Sequence, residues 1–535
     1  MFRMLWRKLK FWQLLGQVSG KGDNQQSSDS ADLLSKSLEH NLQIIQEGLA
    51  NTDDLIVRRF ELKTDNPCKA ATITLCGKLS SDPNTEAVLR PLLTNIESLY
   101  AGKFSPPDLI TALQSQIAGA ELKVVNRFSQ IIDQIIDGNT ILLVDHTCEA
   151  ISITSLEWPH RNIGEPDTES VVRGPREGFV ESIRLNVGLL RKRLRSPDLR
   201  VEYLYVGETE KTEVDIVYLK GIANPKLVEE VRRRIQSIKT DTIIESGYIE
   251  EFIEDAPFSI FPTIGNSERP DVVEAKLLEG RVAIFCDNTP IVLTVPYLFV
   301  ESFQSPEDYY SRPYYSTGIR WLRYLSFFIS ILLPAIYVAL TTYHQEIIPT
   351  PLLLAMSAAR DGIPFPVVIE ALVMGAVFEI LREAGVRMPR PVGQAVSIVG
   401  ALVIGEAAVS ARLIAPLMVI IVALTVVASF VNPPQTDSGV FLRFSFTVAA
   451  GILGGYGLML ALMALLVHLA SLRSFGTPFL SPLAPLSTGD LKDVLVRAPL
   501  WTMRYRPRLV GWRDPQRQDT GQMPAPPNHK GGGES

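Results

Sequence analysis

The chain has 535 residues, 46% of them hydrophobic and 21% charged, with 52 Lys+Arg against 58 Asp+Glu. Residues 1–320 carry 36 Lys+Arg and 46 Asp+Glu, whereas residues 321–480 carry only 8 and 7. A wholly soluble protein does not shed its charges over such a stretch, and an acidic balance without an extended basic run argues against nucleic acid.

In chain order, residues 1–30 place Arg3, Arg7, Lys8 and Lys10 among aromatic and leucine side chains, then pass into a polar linker. The segment reads as a basic amphipathic stretch for an anionic lipid surface, or as a frayed terminus. Its apolar run is too short for a signal peptide. A helix is expected from Ala31, because Leu33, Leu34, Leu38, Leu42, Ile45 and Leu49 recur at three- and four-residue steps. Runs of β-branched residues predict strands at 71–75, 140–144, 150–154, 201–206, 214–219, 281–285 and 291–295. Helices are expected between them over 119–137, 178–194, 225–238 and 271–279, which makes this half mixed α/β. Residues 156–172, with Pro159 and Pro166 and few apolar side chains, link a first subdomain (31–155) to a second (173–318). Asp287-Asn288 reads as a two-residue hairpin turn.

Signals of chemistry are sparse. The chain holds no G-x-x-x-x-G-K-[ST], H-E-x-x-H or G-x-S-x-G, so neither catalysis nor a cofactor is expected. Gly174 and Gly178 bracket a turn that feeds a helix, without the lysine of a phosphate loop. The six histidines are scattered, which offers no His-based metal site. Cys68, Cys76, Cys148 and Cys286 form no C-x-x-C pair and read as small buried thiols in a reducing compartment. Bases cluster at 191–200 and again at 232–234. They either pair with acidic neighbours such as Glu229 and Glu230 or form a docking face for a subunit or lipid headgroups.

Beyond residue 320 the apolar segments suit a bilayer. Residues 324–343 are uncharged and reach the length of about 20 that spans it; Pro334 is expected to kink them. Residues 347–359 are too short to span and read as re-entrant or interfacial. Residues 363–381 can span but carry Glu370 and Glu379, and the long stretch 392–431 is interrupted near Glu406 and Arg412. Residues 444–470 can span, with Gly451, Gly454, Gly455 and Gly457 crowded near their centre. Basic clusters at Arg320 and Arg323, at Arg382, Arg387 and Arg390, and from Arg473 to Arg508 mark cytoplasmic loops, which demands an even number of crossings, four or six. The expected architecture is an α/β N-terminal cytoplasmic domain of two subdomains followed by a polytopic α-helical membrane domain (320–475). A cytoplasmic C-terminal segment (476–513) and a disordered tail (514–535) complete the chain.

Ionisable groups at membrane depth are candidates for function, since each costs about 2.5–3.5 kcal/mol when ionised and lipid-facing. Glu379 and Arg382, three apart, and Glu383 and Arg387, four apart, can close local pairs on one helix face. Glu370 and Glu406 have no such neighbour. They are expected in an ion path, at an inter-subunit contact, or as neutral acids inside the bundle.

Specific strings resemble a family. They include Arg173-Gly-Pro-Arg-Glu-Gly-Phe-Val-Glu-Ser, Gly221-Ile-Ala-Asn-Pro, Glu268-Arg-Pro-Asp, Glu307-Asp-Tyr-Tyr, His344-Gln-Glu-Ile-Ile-Pro-Thr and Arg360-Asp-Gly-Ile-Pro-Phe-Pro. Leu381-Arg-Glu-Ala-Gly-Val-Arg-Met-Pro-Arg-Pro, Ser397-Ile-Val-Gly-Ala-Leu-Val-Ile-Gly and Ser474-Phe-Gly-Thr-Pro-Phe extend the likeness across residues 170–510. They resemble the A subunit of GerA-type spore germinant receptors. The resemblance implies a protein of the spore inner membrane, acting with a transporter-like B subunit and a C-type lipoprotein, and forming a homo-oligomer that conducts ions when a nutrient arrives. The nutrient itself is implied to bind the B subunit. Glu406 stands where the family pattern has Gln. Two alternatives stay open: a related spore membrane protein associated with the dipicolinic-acid channel, and a secondary transporter, which would need an inverted internal repeat.

Overall fold

The computed structural model describes residues 32–62, 68–75, 122–154, 164–166, 168–388, 403, 405–510, 515–519 and 523–524. The basic N-terminus, Cys76, Arg390 and most of the expected disordered tail lie outside them. The chain divides into two compact units. One holds residues 1–164, 179–204 and 213–220, and the other holds 165–178, 205–212 and all from 221 onward.

In the first unit, β1 (Leu55–Leu62), β2 (Cys68–Leu75), β3 (Leu122–Val125), β4 (Thr140–Val144) and β5 (Ala150–Ile153) form an antiparallel sheet in the order β1-β2-β4-β5-β3. Helices α1 (Leu38–Gly48) and α2 (Phe128–Ile136) cover it, burying Leu38, Leu42, Ile45, Ile131 and Ile135 against Ile73, Ile141 and Leu143. The leucine spacing thus marks the core face of α1, which starts later than Ala31. The helix expected over 119–137 is shorter: Lys123-Val124-Val125 pair with β5, Val124 opposite Ile151, and the helix begins at Phe128. Two β-branched residues beside an open sheet edge favour the strand. Strand β1 escapes the sequence pattern because Arg58 and Arg59 interrupt it; both are exposed on an edge strand, where charge blocks unwanted pairing. Helix α3 (Ile183–Arg193) and most of the neighbouring strands β6 (Leu199–Val206) and β7 (Thr212–Leu219) also belong here.

In the second unit come α4 (Pro225–Ser237), α5 (Ser246–Ile253), α6 (Pro270–Glu279) and an antiparallel ladder of β9 (Val282–Cys286), β10 (Val292–Val295) and β8 (Gly265–Ser267). Pro225 sits in the first turn of α4, and the Asn224 side chain accepts from Lys226 N–H, which defines that helix start. The β9–β10 connection is longer than the expected two-residue turn. The strands end at Cys286 and resume at Val292, and within that connection positive φ is adopted at Asn288 (68°).

The rest of this unit is helical: α7 (Glu307–Tyr310), α8 (Pro313–Thr342), α9 (Thr350–Ala359), α10 (Val367–Arg387), α11 (Pro416–Ser429) and α12 (Thr436–Ser471), closed by a small hairpin of β11 (Arg473–Ser474) and β12 (Thr477–Pro478). Helix α8 continues through Pro334. Two segments, Pro313–Thr342 and Pro433–Ser471, are long and apolar enough to cross a membrane. The second does not run straight. A helix of 36 residues would be about 54 Å long, yet both of its ends meet the same short loop. Ser438 Oγ donates to Ile260 O at 2.5 Å, and His468 Nε2 lies 3.2 Å from Ser259 Oγ. The reversal is at Gly454, where φ is 61° and ψ −140°. Only glycine adopts such a backbone readily.

Candidate functional site in the helical region

Glu370, one turn into α10, is 1% exposed. Its carboxylate accepts from Arg360 Nη2 at 2.7 Å, just past the end of α9, and from Ala415 N–H at 3.0 Å, at the start of α11. A carboxylate at a helix N-terminus meets unpaired N–H groups and the positive end of the helix dipole. Three helix ends therefore converge on one buried charge. Arg360 also donates to Phe365 O at 3.3 Å, which fixes the turn between α9 and α10. The partner of Glu370 is ten residues away on another element, beyond the reach of helix-spacing arguments.

Glu379, also on α10, closes the expected pair with Arg382 at 2.9 Å and makes a second one with Arg443 of α12. Arg443 is 6% exposed and carries the interhelical link. Glu383 and Arg387 pair at 2.6 Å as anticipated, and both are exposed. Glu406 lies on the helical residues 405–410 and is exposed. The structure thus joins Glu370, Glu379 and Arg382 to buried contacts inside the bundle and leaves Glu383 and Glu406 on its surface.

Several basic residues used as topology markers are structural. Arg320 is fully buried and contacts Asp308 (3.1 Å) and Asp493 (3.1 Å), while Arg323 pairs with Asp308 at 2.8 Å. Arg497, 3% exposed, donates to Tyr309 O at 3.1 Å. Burial raises the Asp493 carboxyl above its usual range against the opposing pull of Arg320, and burial raises the Tyr309 hydroxyl well above its own. This cluster clasps the segment after α12 onto the start of α8. The clustered bases of the α/β region are paired too: Arg191 with Asp54 (2.6 Å), Arg195 with Asp137 (3.1 Å), Arg234 with Glu230 (2.8 Å) and Asp255.

The cysteines differ from the expectation of uniform burial. Cys286 is buried, Cys68 half-buried and Cys148 exposed. Burial pushes the Cys286 thiol up to about 12. Among the described residues no group of three His, Cys, Asp or Glu could hold a metal ion. A cavity of about 730 Å³ lies between α4 and the β11–β12 hairpin, lined by Lys226, Glu230, Arg234, Asp255, Arg473 and Phe475 among others. Its cations and carboxylates nearly balance, so it selects no single ligand charge.

Residues 43–509 match the family model described as Bacillus/Clostridium GerA spore germination protein. Spore germination protein KA of Bacillus subtilis (strain 168) is 43% identical over 511 residues, covering 95% of this chain and 93% of that protein. The uncharacterized membrane protein YfkQ of the same strain is 42% identical over 503 residues, covering 93% and 96%. Among solved structures, the N-terminal domain of the A subunit of the Bacillus megaterium spore germinant receptor GerK3 is 32% identical, with a TM-score of 0.40 over 50% of this chain and 97% of that one.

Proposed function

Since the chain belongs to the GerA spore germination protein family, we propose that it acts in spore germination as the A-type membrane subunit of a nutrient germinant receptor. The observation that carries this reading is the extent of the family match, which runs through both the α/β and the helical regions. A transporter-like B-type subunit and a C-type lipoprotein are its partners in this reading. It forms an oligomer that conducts ions, and the nutrient binds elsewhere in the complex.

We propose six crossings for this chain, a reading supported by where the helix ends meet. The start of α8, the end of α11 and both ends of α12 share one end of the bundle: Asn432 Nδ2 donates to Arg323 O at 2.8 Å, and the two ends of α12 contact Ser259 and Ile260. At the other end, Tyr343 after α8 contacts Gly451 and Ile452, Gly451 abuts Val368 of α10, and Glu370 gathers Arg360 and Ala415. Helix α10 then runs back, its Phe378 ring 6.4 Å from Phe430 at the end of α11. Arg412 lies beside Gly362, which puts it at the end of the bundle where α9 and α10 meet. In this reading α8, α10, α11 and the two halves of α12 each cross once, and the even total set by the basic clusters adds a sixth. An even number keeps the α/β region and the C-terminal segment on one side, the cytoplasmic one by the basic-residue rule.

Glu406 is the best candidate to line an ion path or a subunit contact. It is exposed in an apolar region, where lipid-facing ionisation is costly, whereas Glu370 already has its counter-charge. Proteoliposomes holding this chain with its B- and C-type partners should show nutrient-dependent cation flux, reduced at least about tenfold by Glu406→Gln at normal protein level. Flux that needs no nutrient, or spores lacking this chain that respond to every nutrient as the parent does, would overturn the receptor reading. Unchanged flux in the Gln variant would remove Glu406 alone.

A further inference from the structure

The glycine cluster of α12 has a use that the receptor reading does not absorb. At Gly454 the helical ladder stops, so the last carbonyls of the first half and the first N–H groups of the second lack intrahelical partners. Two consecutive residues at the end of α8 supply them. Tyr343 Oη donates to Gly451 O and Ile452 O, 2.9 Å each, and His344 Nε2 accepts from Gly455 N–H at 3.1 Å. The fit leaves no room for other side chains: a Cβ at Gly454 would lie 2.8 Å from the Tyr343 ring, and one at Gly457 would lie 2.1 Å from Ala449 O.

We propose that His344 is a proton-binding site that controls this reversal: the neutral imidazole clamps it shut, and proton uptake at Nε2 releases it. The argument is one of hydrogen-bond roles. A backbone N–H only donates, so Nε2 must be the acceptor and the ring proton must sit on Nδ1; an imidazolium has two N–H groups and no acceptor. Protonation replaces an attractive contact by two opposed N–H groups, and the second half of α12 loses its first anchored amide. Among the described residues the titratable neighbours are few. Glu346 follows on the same segment, Tyr343 precedes it, and Tyr456 adjoins Gly455. Between Arg443 and His468 α12 holds no charged residue, and Val368 is what α10 presents to Gly451. Tyr343 is half exposed and His344 exposed, so the ring is open to proton exchange rather than sealed in the bundle. Imidazoles as a class change charge between pH 5 and 8, which sets the range of the test.

Hydrogen exchange of the full-length protein in lipid nanodiscs, corrected for the intrinsic pH dependence of exchange, reads the clamp directly. Protection of residues 451–457 should fall about fivefold or more from pH 8 to pH 5, the loss of one hydrogen bond. His344→Gln keeps an acceptor oxygen at every pH, so its protection should stay at the high level throughout. His344→Leu should be low at both. Tyr343→Phe should be lower at both but keep the pH step. An equal fall in His344→Gln, or no fall in the parent, overturns the proposal. Should the Gln variant not fold, imidazole ¹⁵N spectra of the parent decide independently: the proposal requires an unprotonated Nε2 at high pH, and an Nε2–H tautomer there would refute it.

Discussion

The α/β region and the helical region handle charge in opposite ways. On α4, Arg232 and Arg233 pair with Glu229 and Glu230 one turn away, all on a water-facing surface. On α10, Glu370 and Glu379 each reach a buried or half-buried partner outside their own helix. The first arrangement is local and screened, worth at most about 1 kcal/mol per pair. In the second, removing one partner strands the other away from water. Few charges therefore do not mean unimportant charges. In the helical region Glu370 and Glu379 tie separate elements together.

Breaking that contrast should be most visible at Glu370. Glu370→Ala leaves Arg360 and Ala415 N–H without their acceptor and should cost about 3 kcal/mol, measured as thermal unfolding of the purified full-length protein in detergent. A melting point equal to the parent's would show that the buried pair is dispensable and that the two regions do not differ in this respect.

Between these extremes lies Glu250 of α5. Burial first, then the charges of Glu254 and Glu245, push its carboxyl up to about 7 from an ordinary 4.5. The folded state thus favours the protonated form, so this group's contribution is complete below about pH 4.5 and is lost as pH rises through 7. Glu250→Gln should stabilise the protein at pH 8 by on the order of 2 kcal/mol and leave it unchanged at pH 4. Denaturation at the two pH values tests this; equal effects at both would mean Glu250 ionises normally.

A smaller effect sharpens the comparison chemically. Cys148 is exposed and Cys286 is buried with a raised thiol, so maleimide at pH 7.5 should modify Cys148 at least about tenfold faster. Peptide mapping after brief labelling reads it, and equal rates would argue against the packing around β9. The smallest change belongs to the surface: Arg232→Ala should shift stability by no more than about 0.5 kcal/mol. A loss above 2 kcal/mol would mean that the pair with Glu229 is not the solvated contact described.

Much of the α/β region was legible because its signals are local. The strand at Thr140–Val144 follows from a β-branched run, and the helix expected over 225–238 is found at Pro225–Ser237. Strand β1 and the division of 119–137 were not, since Arg58, Arg59 and Lys123 make sense only once a sheet edge exists to receive them. In the candidate site the pairs Glu379–Arg382 and Glu383–Arg387 follow from helix spacing alone. The glycines of α12 were visible too, although their purpose was not.

By itself the sequence determined the loss of charge past residue 320, the apolar helices, the short-range ion pairs and the family strings, because each depends on composition or on neighbours within a few residues. Tertiary structure alone decided that Glu370 meets Arg360 and Ala415, that Arg443 answers Glu379, that Arg320 is buried between Asp308 and Asp493, and that α12 turns back on Gly454 beneath Tyr343 and His344. The physical reason is that a buried charge or an unpaired backbone group has to find a partner wherever the packed chain brings one within about 3 Å, and sequence separation says nothing about where that will be.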